Sequence, residues 1–186
     1  GTSTAPASLG ISDGPTYDYG TRATGSTLDK TLTVSNTGNF AASSMSASGL
    51  SAPYTFKGGT YPGTGGDCGA TLGASATCTV VVTYAPSATG TQSVTLSLGY
   101  NDGAAAQSAT RALQGTGASP ALLAISDGAT YNYGTKATGS STDKTFTVSN
   151  SGGVAATSLA GAGLGAPFTF KGSSYPGTGG TCGATL

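Results

Sequence analysis

The side chains of this chain that could do chemistry are few: three Cys, seven Asp, five Lys and two Arg, with no His, no Glu and no Trp anywhere. Hydrolysis or group transfer needs a nucleophile beside a base, a pair of carboxylates, or a metal cage. Without His or Glu, only Asp and Lys are left as acid or base, and an enzyme is not expected. Cys68 and Cys78 flank the run Gly-Ala-Thr-Leu-Gly-Ala-Ser-Ala-Thr and lie near the ends of adjacent segments. That arrangement favours a disulfide, and closing a loop of about ten residues stabilises a fold by roughly 2.5 to 3 kcal/mol in the chain-entropy model. The rival is a metal site, for which two thiols without an imidazole leave the coordination unfinished. Neither a metal nor another cofactor is expected. Cys182 has no second cysteine after it and reads as an unpaired or intermolecular thiol.

Asp13 and Asp127 each sit in a Ser-Asp-Gly turn, where an Asp that hydrogen-bonds nearby backbone is a better reading than a calcium ligand. Asp29-Lys30 and Asp143-Lys144 read as surface charges preceding a strand. Lys30 and Asn36 share one strand with no Glu nearby to move protons, which disfavours an internal Lys-to-Asn crosslink. The Gly-rich loop Phe56 to Gly66, repeated as Phe170 to Gly180, is the candidate ligand surface, with Lys57, Tyr61, Lys171 and Tyr175 as its contact residues. An exposed Tyr face stacks on a sugar ring or a protein surface. The competing reading is that Tyr61-Pro62 pins a long loop to the edge of the fold. The P-loop spacing, with its Lys-Ser/Thr pair and following helix, is missing.

These residues are held by a repeat. A shift of 114 positions superposes Ile11 to Leu72 on Ile125 to Leu186 without a gap, and 43 of the 62 pairs are identical. Fixed-period self-similarity is the mark of an array of similar units. Residues 1–4 read as the tail of a preceding repeat, 5–117 as a complete repeat, and 118–186 as an incomplete one lacking its last strands. Either the second unit continues in a longer chain, or another molecule supplies the missing strands.

Within one unit, Leu9 and Ile11 alternate with small residues before the Ser12-Asp13-Gly14 turn, and Tyr17 and Tyr19 alternate up to Gly20. Lys30 to Ser35 has period two with Leu32 and Val34 inward, and Asn36-Thr37-Gly38 supplies a turn. Tyr54-Thr55-Phe56 repeats the alternation. In Cys78 to Tyr84 the residues Cys78, Val80, Val82 and Tyr84 share one face. Val94, Leu96 and Leu98 form the next strand, Asn101-Asp102-Gly103 a hairpin turn, and a last strand runs toward Leu113. The expected fold class is all-β: tandem immunoglobulin-like β-sandwiches of about seven strands per unit, the second truncated. Gly115 to Pro120 reads as a short linker stiffened by Pro120.

The runs Tyr19-Gly20, Thr24-Gly25-Ser26 and Thr31 to Gly38, with Cys68, Leu72, Cys78 to Tyr84, Pro86, Gly90 and Leu113 to Gly117, resemble the bacterial choice-of-anchor D repeats. Those are relatives of the abnormal-spindle and Hydin type of immunoglobulin-like domain. The resemblance implies a seven-stranded sandwich with both cysteines bridged, carried in tandem on large exported proteins at the bacterial cell surface, and no catalytic residue to transfer. The expected role is a structural or adhesive repeat of a secreted surface or fibre protein. Two alternatives stand beside it: a carbohydrate- or protein-binding module using the Tyr61 loop, and a self-assembling subunit completed by strand exchange. Expected partners are neighbouring repeats, another copy in trans, and surface glycans or proteins. Charged residues make up 8% of the chain and the net charge is zero, which gives no footprint for nucleic acid or an anionic membrane. No apolar run approaches the roughly eighteen residues of a membrane helix. The segment reads as soluble, with any export signal or anchor outside it.

Overall fold

Alternation of inward apolar and outward polar residues becomes paired strand through most of the first repeat. The computed structural model describes residues 4–186 and divides the chain into two units, Gly1–Ala118 and Ser119–Leu186. The tail assigned to residues 1–4 therefore lies, apart from Thr4, outside the described residues. Among those residues there is no helix.

The first unit has eight strands: β1 (Leu9–Ile11), β2 (Thr16–Ala23), β3 (Leu28–Asn36), β4 (Ser43–Ser48), β5 (Tyr54–Phe56), β6 (Thr77–Tyr84), β7 (Gly90–Asn101) and β8 (Ala106–Ala118). They form two four-stranded sheets, in the orders β1-β3-β6-β5 and β2-β8-β7-β4. Every pairing is antiparallel except that of β2 with β8, which is parallel and runs from Thr16 opposite Ala112 to Ala23 opposite Ala118. One core joins the two sheets. Leu32, Val34, Val80, Val82 and Tyr84 come from the first sheet and Tyr19, Leu96, Leu98 and Leu113 from the second, all buried. The period-two reading of β3 and β6 holds in detail, with Leu32 opposite Val80 and Val34 opposite Cys78.

Tyr19, Tyr54 and Tyr84 form a buried cage, with ring centroids 4.8 to 5.7 Å apart. Each hydroxyl has an acceptor: Tyr19 donates to the Val82 carbonyl at 3.0 Å, Tyr54 to the Gln92 carbonyl at 2.8 Å, and Tyr84 to Gln92 Oε1 at 2.7 Å. These bonds satisfy polar tips that would otherwise be stranded in the core. Gly115 is required beside this cage, because a Cβ there would lie 2.6 Å from the Tyr84 ring.

Three sequence expectations change. The second strand does not stop at Gly20 but continues to Ala23, with a register shift between Asp18 and Thr21. The strand β4, rich in Ser, is not expected; it forms because Met45 enters the core and the backbone pairs with β7. Gly115 to Ala118 are not linker but the end of β8, held between Gly90 to Gln92 of β7 and Thr21 to Ala23 of β2.

In the second unit, β9 (Leu123–Ile125) pairs with β10 (Val148–Asn150) in antiparallel register, Leu123 opposite Asn150. Leu9 opposite Asn36 is the same pairing 114 residues earlier. An isolated bridge joins Thr157 and Thr185. Residues 130–137, the counterpart of β2, and 142–147, the counterpart of most of β3, form no strand. Their partners in the first unit, β8 and β6, have no counterpart before Leu186.

Candidate functional site

The Gly-rich loop is built onto the free edge of β6. After β5 pairs with β6, Lys57 N–H donates to the Val81 carbonyl at 3.0 Å and Val81 N–H to the Pro62 carbonyl at 2.8 Å. Asp67 and Cys68 N–H groups both reach the Thr79 carbonyl at 3.1 Å. The loop thereby covers an edge that would otherwise present unpaired backbone. Gly63 makes the approach possible: its φ is +92° and a Cβ would lie 2.2 Å from the Val81 carbonyl oxygen, so no other residue fits.

The disulfide joins Cys68 to Cys78 with their Cα atoms 4.9 Å apart, both residues buried, at the point where the loop returns to β6. Asp67 reinforces this corner, its Oδ1 accepting from Thr79 N–H at 2.6 Å and from Thr79 Oγ1 at 2.8 Å. Those bonds hold the Asp67 carboxyl below the ordinary carboxylate range.

Of the candidate contact residues, Tyr61 is half-buried rather than exposed. Its ring centroid lies 5.6 Å from that of Phe56, and its hydroxyl donates to the Gly69 carbonyl at 3.3 Å. Burial pushes this hydroxyl up from its ordinary value. Lys57 Nζ lies 2.8 Å from Asp29 Oδ2, and Asp29 also accepts from Thr83 Oγ1 at 2.6 Å. The second unit repeats the arrangement: Lys171 meets Asp143 at 2.7 Å, and Tyr175 lies 5.6 Å from Phe170, centroid to centroid. Burial and the neighbouring Cys182 raise the Tyr175 hydroxyl. Cys182 is a free, half-buried thiol. A shallow groove lined by Ala47 to Ala52 and Tyr54 to Phe56 borders the loop, and Gly161 to Leu164 with Phe168 to Phe170 line its counterpart.

The remaining titratable groups are tied into the fold. Asp13 accepts from Lys30 Nζ at 2.8 Å and from Ser12 Oγ at 2.6 Å; the Lys30 bond contributes most to holding its carboxyl low. Lys30 lies 4.5 Å from the centre of the Tyr17 ring, an additional cation–π contact. Asp127, Ser126, Lys144 and Tyr131 reproduce this set. Asp29 and Lys30 thus belong to β3 rather than preceding it, and they face different partners. Asp102 caps the β7–β8 turn, accepting from the N–H groups of Ala104 and Ala105 at 2.8 and 2.7 Å. Among the described residues no three Cys or Asp side chains cluster as a metal cage would require.

Sequence reasoning missed Asn36 as more than a turn residue. Asn36 is buried, accepts from Ser8 N–H and Gly38 N–H, and donates to the carbonyls of Phe40, Leu72 and Gly73 at 2.8 to 3.2 Å. Its identity with Asn150 in the second copy is a signal that could have singled it out.

Residues 12–116 match the family described as HYDIN/CFA65/VesB-like, Ig-like domain. Among solved structures, the VesB protease of Vibrio cholerae is 16% identical with a TM-score of 0.47, over 60% of this chain and 32% of that one. The ASH/PapD-like domain of human CEP192 is 16% identical with a TM-score of 0.42, over 63% and 88% of the two chains. A protein of unknown function from Porphyromonas gingivalis W83 is 13% identical with a TM-score of 0.43, over 60% and 48%. The match thus spans about a third of the protease's length. No curated protein matches the chain.

Proposed function

Because the chain belongs to the HYDIN/CFA65/VesB-like family of Ig-like domains, we propose that it is a structural repeat, of the choice-of-anchor D kind, that bears tension within a large exported bacterial protein. It is not an enzyme on this reading. The single observation that carries the proposal is the parallel pairing of β2 with β8, one strand near the start of the first unit and one at its end. Pulling the two ends of that unit apart drags β2 and β8 in opposite directions along their own axes. The bonds between them then share the force together. An antiparallel pair of terminal strands pulled from the same side would instead open one bond at a time.

Supporting features are the core that locks both sheets and the disulfide, which keeps Cys68 to Cys78 from extending under force. A bridge of this kind suits an oxidising, extracellular setting. A surface covered by Ser, Thr, Gly and Asn rather than by charge suits the same place. The natural partners are neighbouring repeats of the same protein, and adhesion would follow from where the fibre is displayed.

Force spectroscopy tests the reading. The folded chain is pulled first from its two ends, and then from handles at Thr16 and Ala112, which lie opposite each other and would make β2 and β8 unzip. The first geometry should need clearly the higher force to break the first unit. Equal forces would overturn the proposal.

A further inference from the structure

In the first unit β4 and β5 are edge strands of opposite sheets, joined by the short crossing Gly49 to Pro53. Gly49 sets the path of that crossing: its φ is +89°, and a Cβ would lie 2.2 Å from the Thr95 carbonyl oxygen. Along it lies the groove that borders the Gly-rich loop, about 350 Å³ in volume and thus at the small end of the roughly 300 to 1,000 Å³ that ligand sites span. Ala47, Leu50 and Phe56 are its apolar floor, each half-buried and packed on the core, and no charged residue lines it. Tyr54 also lines it while only 1% exposed, because its ring belongs to the cage; what it presents to the groove is backbone.

That backbone is incompletely paired. Lys57 N–H reaches the Val81 carbonyl at 3.0 Å and Ala85 N–H the Pro53 carbonyl at 2.9 Å. In the β5–β6 register, this makes Thr55 and Thr83 the hydrogen-bonded pair between them, so the N–H and C=O groups of Tyr54 and Phe56 point away from β6. Tyr54 N–H donates to the Ser51 carbonyl at 2.9 Å, and the Phe56 carbonyl accepts from Gly59 N–H at 2.8 Å. Tyr54 C=O and Phe56 N–H are left without a partner among the described residues.

We propose that this groove binds an extended, uncharged peptide segment of a partner protein by strand addition to β5. One residue of the segment, running parallel to β5 opposite Thr55, donates its N–H to Tyr54 C=O and accepts from Phe56 N–H. By strand alternation its side chain faces outward with Thr55, and its two neighbours turn inward over Ala47, Leu50 and Phe56. The segment therefore reads apolar, any residue, apolar. Two observations select a peptide over a sugar. A C=O and an N–H two residues apart on one strand edge are the complement of one extended residue, and no aromatic face is open for stacking, since Tyr54 is held in the cage and Phe56 meets Tyr61 edge-on at 5.6 Å. A charged side chain is disfavoured because it would lose water there without gaining a counterion. The occupied Tyr54 N–H and Phe56 C=O stop the ladder after one bridge, so the edge captures a short segment and does not template a continuous sheet. None of this depends on the β2–β8 pairing.

The test is a titration of the isotope-labelled full chain with the peptide acetyl-Thr-Val-Thr-Val-Thr-amide, followed by amide NMR. The Phe56 amide proton should move downfield and saturate at millimolar peptide, with smaller shifts at Leu50 and Thr55, and its exchange with solvent should slow. Methylating the nitrogen of the central Thr in the peptide removes one of the two bonds and should weaken binding about tenfold, the loss of roughly one hydrogen bond. Replacing both Val of the peptide by Asp should abolish the shifts. Leu50→Ser in the chain should weaken the parent peptide while the circular dichroism of the sheets stays unchanged. No saturable shift at Phe56 would overturn the proposal, the edge then being satisfied by water. Equal binding of the methylated or the Asp-bearing peptide would overturn it as well, since neither can make the bridge and fill the floor.

Discussion

Asn36 illustrates how much of this fold rests on single polar side chains. Its amide spans three stretches of chain, the β1 entry at Ser8, the turn at Gly38 to Phe40, and the approach to the disulfide loop at Leu72 and Gly73. Replacing it by Ala leaves buried N–H and C=O groups without partners, an arrangement that costs about 2 to 3 kcal/mol. Urea unfolding of Asn36→Ala should show a loss of that order, with unchanged slope. Replacement by Asp should be nearly as harmful, since a carboxylate cannot donate to the three carbonyls. Only part of this was legible in the sequence. Asn36-Thr37-Gly38 reads correctly as turn chemistry, but the three carbonyls come from residues 4 to 37 positions away, which no local pattern records. The same distance hides the ion pairs: Asp29 and Lys57 are both visible, and their meeting depends on β3 and β5 flanking β6. Tyr61 makes the opposite point. Its spacing in the Gly-rich loop resembles a contact surface, yet its ring is turned onto Phe56. Tyr61→Ala should therefore lower stability without removing a ligand, and a glycan array should give the same pattern for the variant and the parent; selective loss of a binding signal would establish the loop as a site.

Strands were legible in proportion to the β-branched and aromatic residues they carry. β6, with three consecutive Val between Thr79 and Thr83, declares both its existence and its inward face. β4, Ser-Ser-Met-Ser-Ala-Ser, has almost no intrinsic preference and exists because β7 offers a long edge and Met45 finds the core. The end of β8 carries Gly115 and Gly117, residues that usually weaken a strand. Here their missing side chains are a fit: Tyr84 occupies the space above Gly115, and the Ala88 carbonyl approaches Gly117. The disulfide between the loop and β6 belongs to this level too. Two cysteines ten residues apart were enough to favour it, and both lie in the core. Cys68→Ser with Cys78→Ser should lower the stability of the first unit by about 2 to 3 kcal/mol. Comparing urea unfolding of that variant with the parent, with and without reductant, checks the figure: reductant should weaken the parent to the level of the variant and leave the variant unchanged.

Across the whole first unit, the two sheets are tied together by the tyrosine cage, and this makes its stability respond to alkaline pH. Tyr19 is contributed by the sheet containing β2, Tyr54 and Tyr84 by the opposite one. Burial, first of all, and then neighbouring tyrosines push the Tyr19 and Tyr54 hydroxyls well above the ordinary phenol value of 10.0, and Tyr84 is raised in the same direction. A phenol whose pKa is higher folded than unfolded binds more protons in the native state, so unfolding is favoured as protons are withdrawn. Below about pH 10 both states keep the proton and the cage contributes fully. Above it the unfolded chain ionises while the folded one cannot, and stability falls continuously as pH rises toward the folded values. In a titration followed by tyrosinate absorbance, the cage should ionise only together with loss of the β-sheet circular dichroism signal. Tyr19→Phe should shift that cooperative loss to higher pH, since it removes an ionisable hydroxyl from the core while keeping the ring. A single gradual titration of all tyrosines, with the sheet signal intact throughout, would mean that water reaches the cage and that the two sheets are held together by the aliphatic core alone.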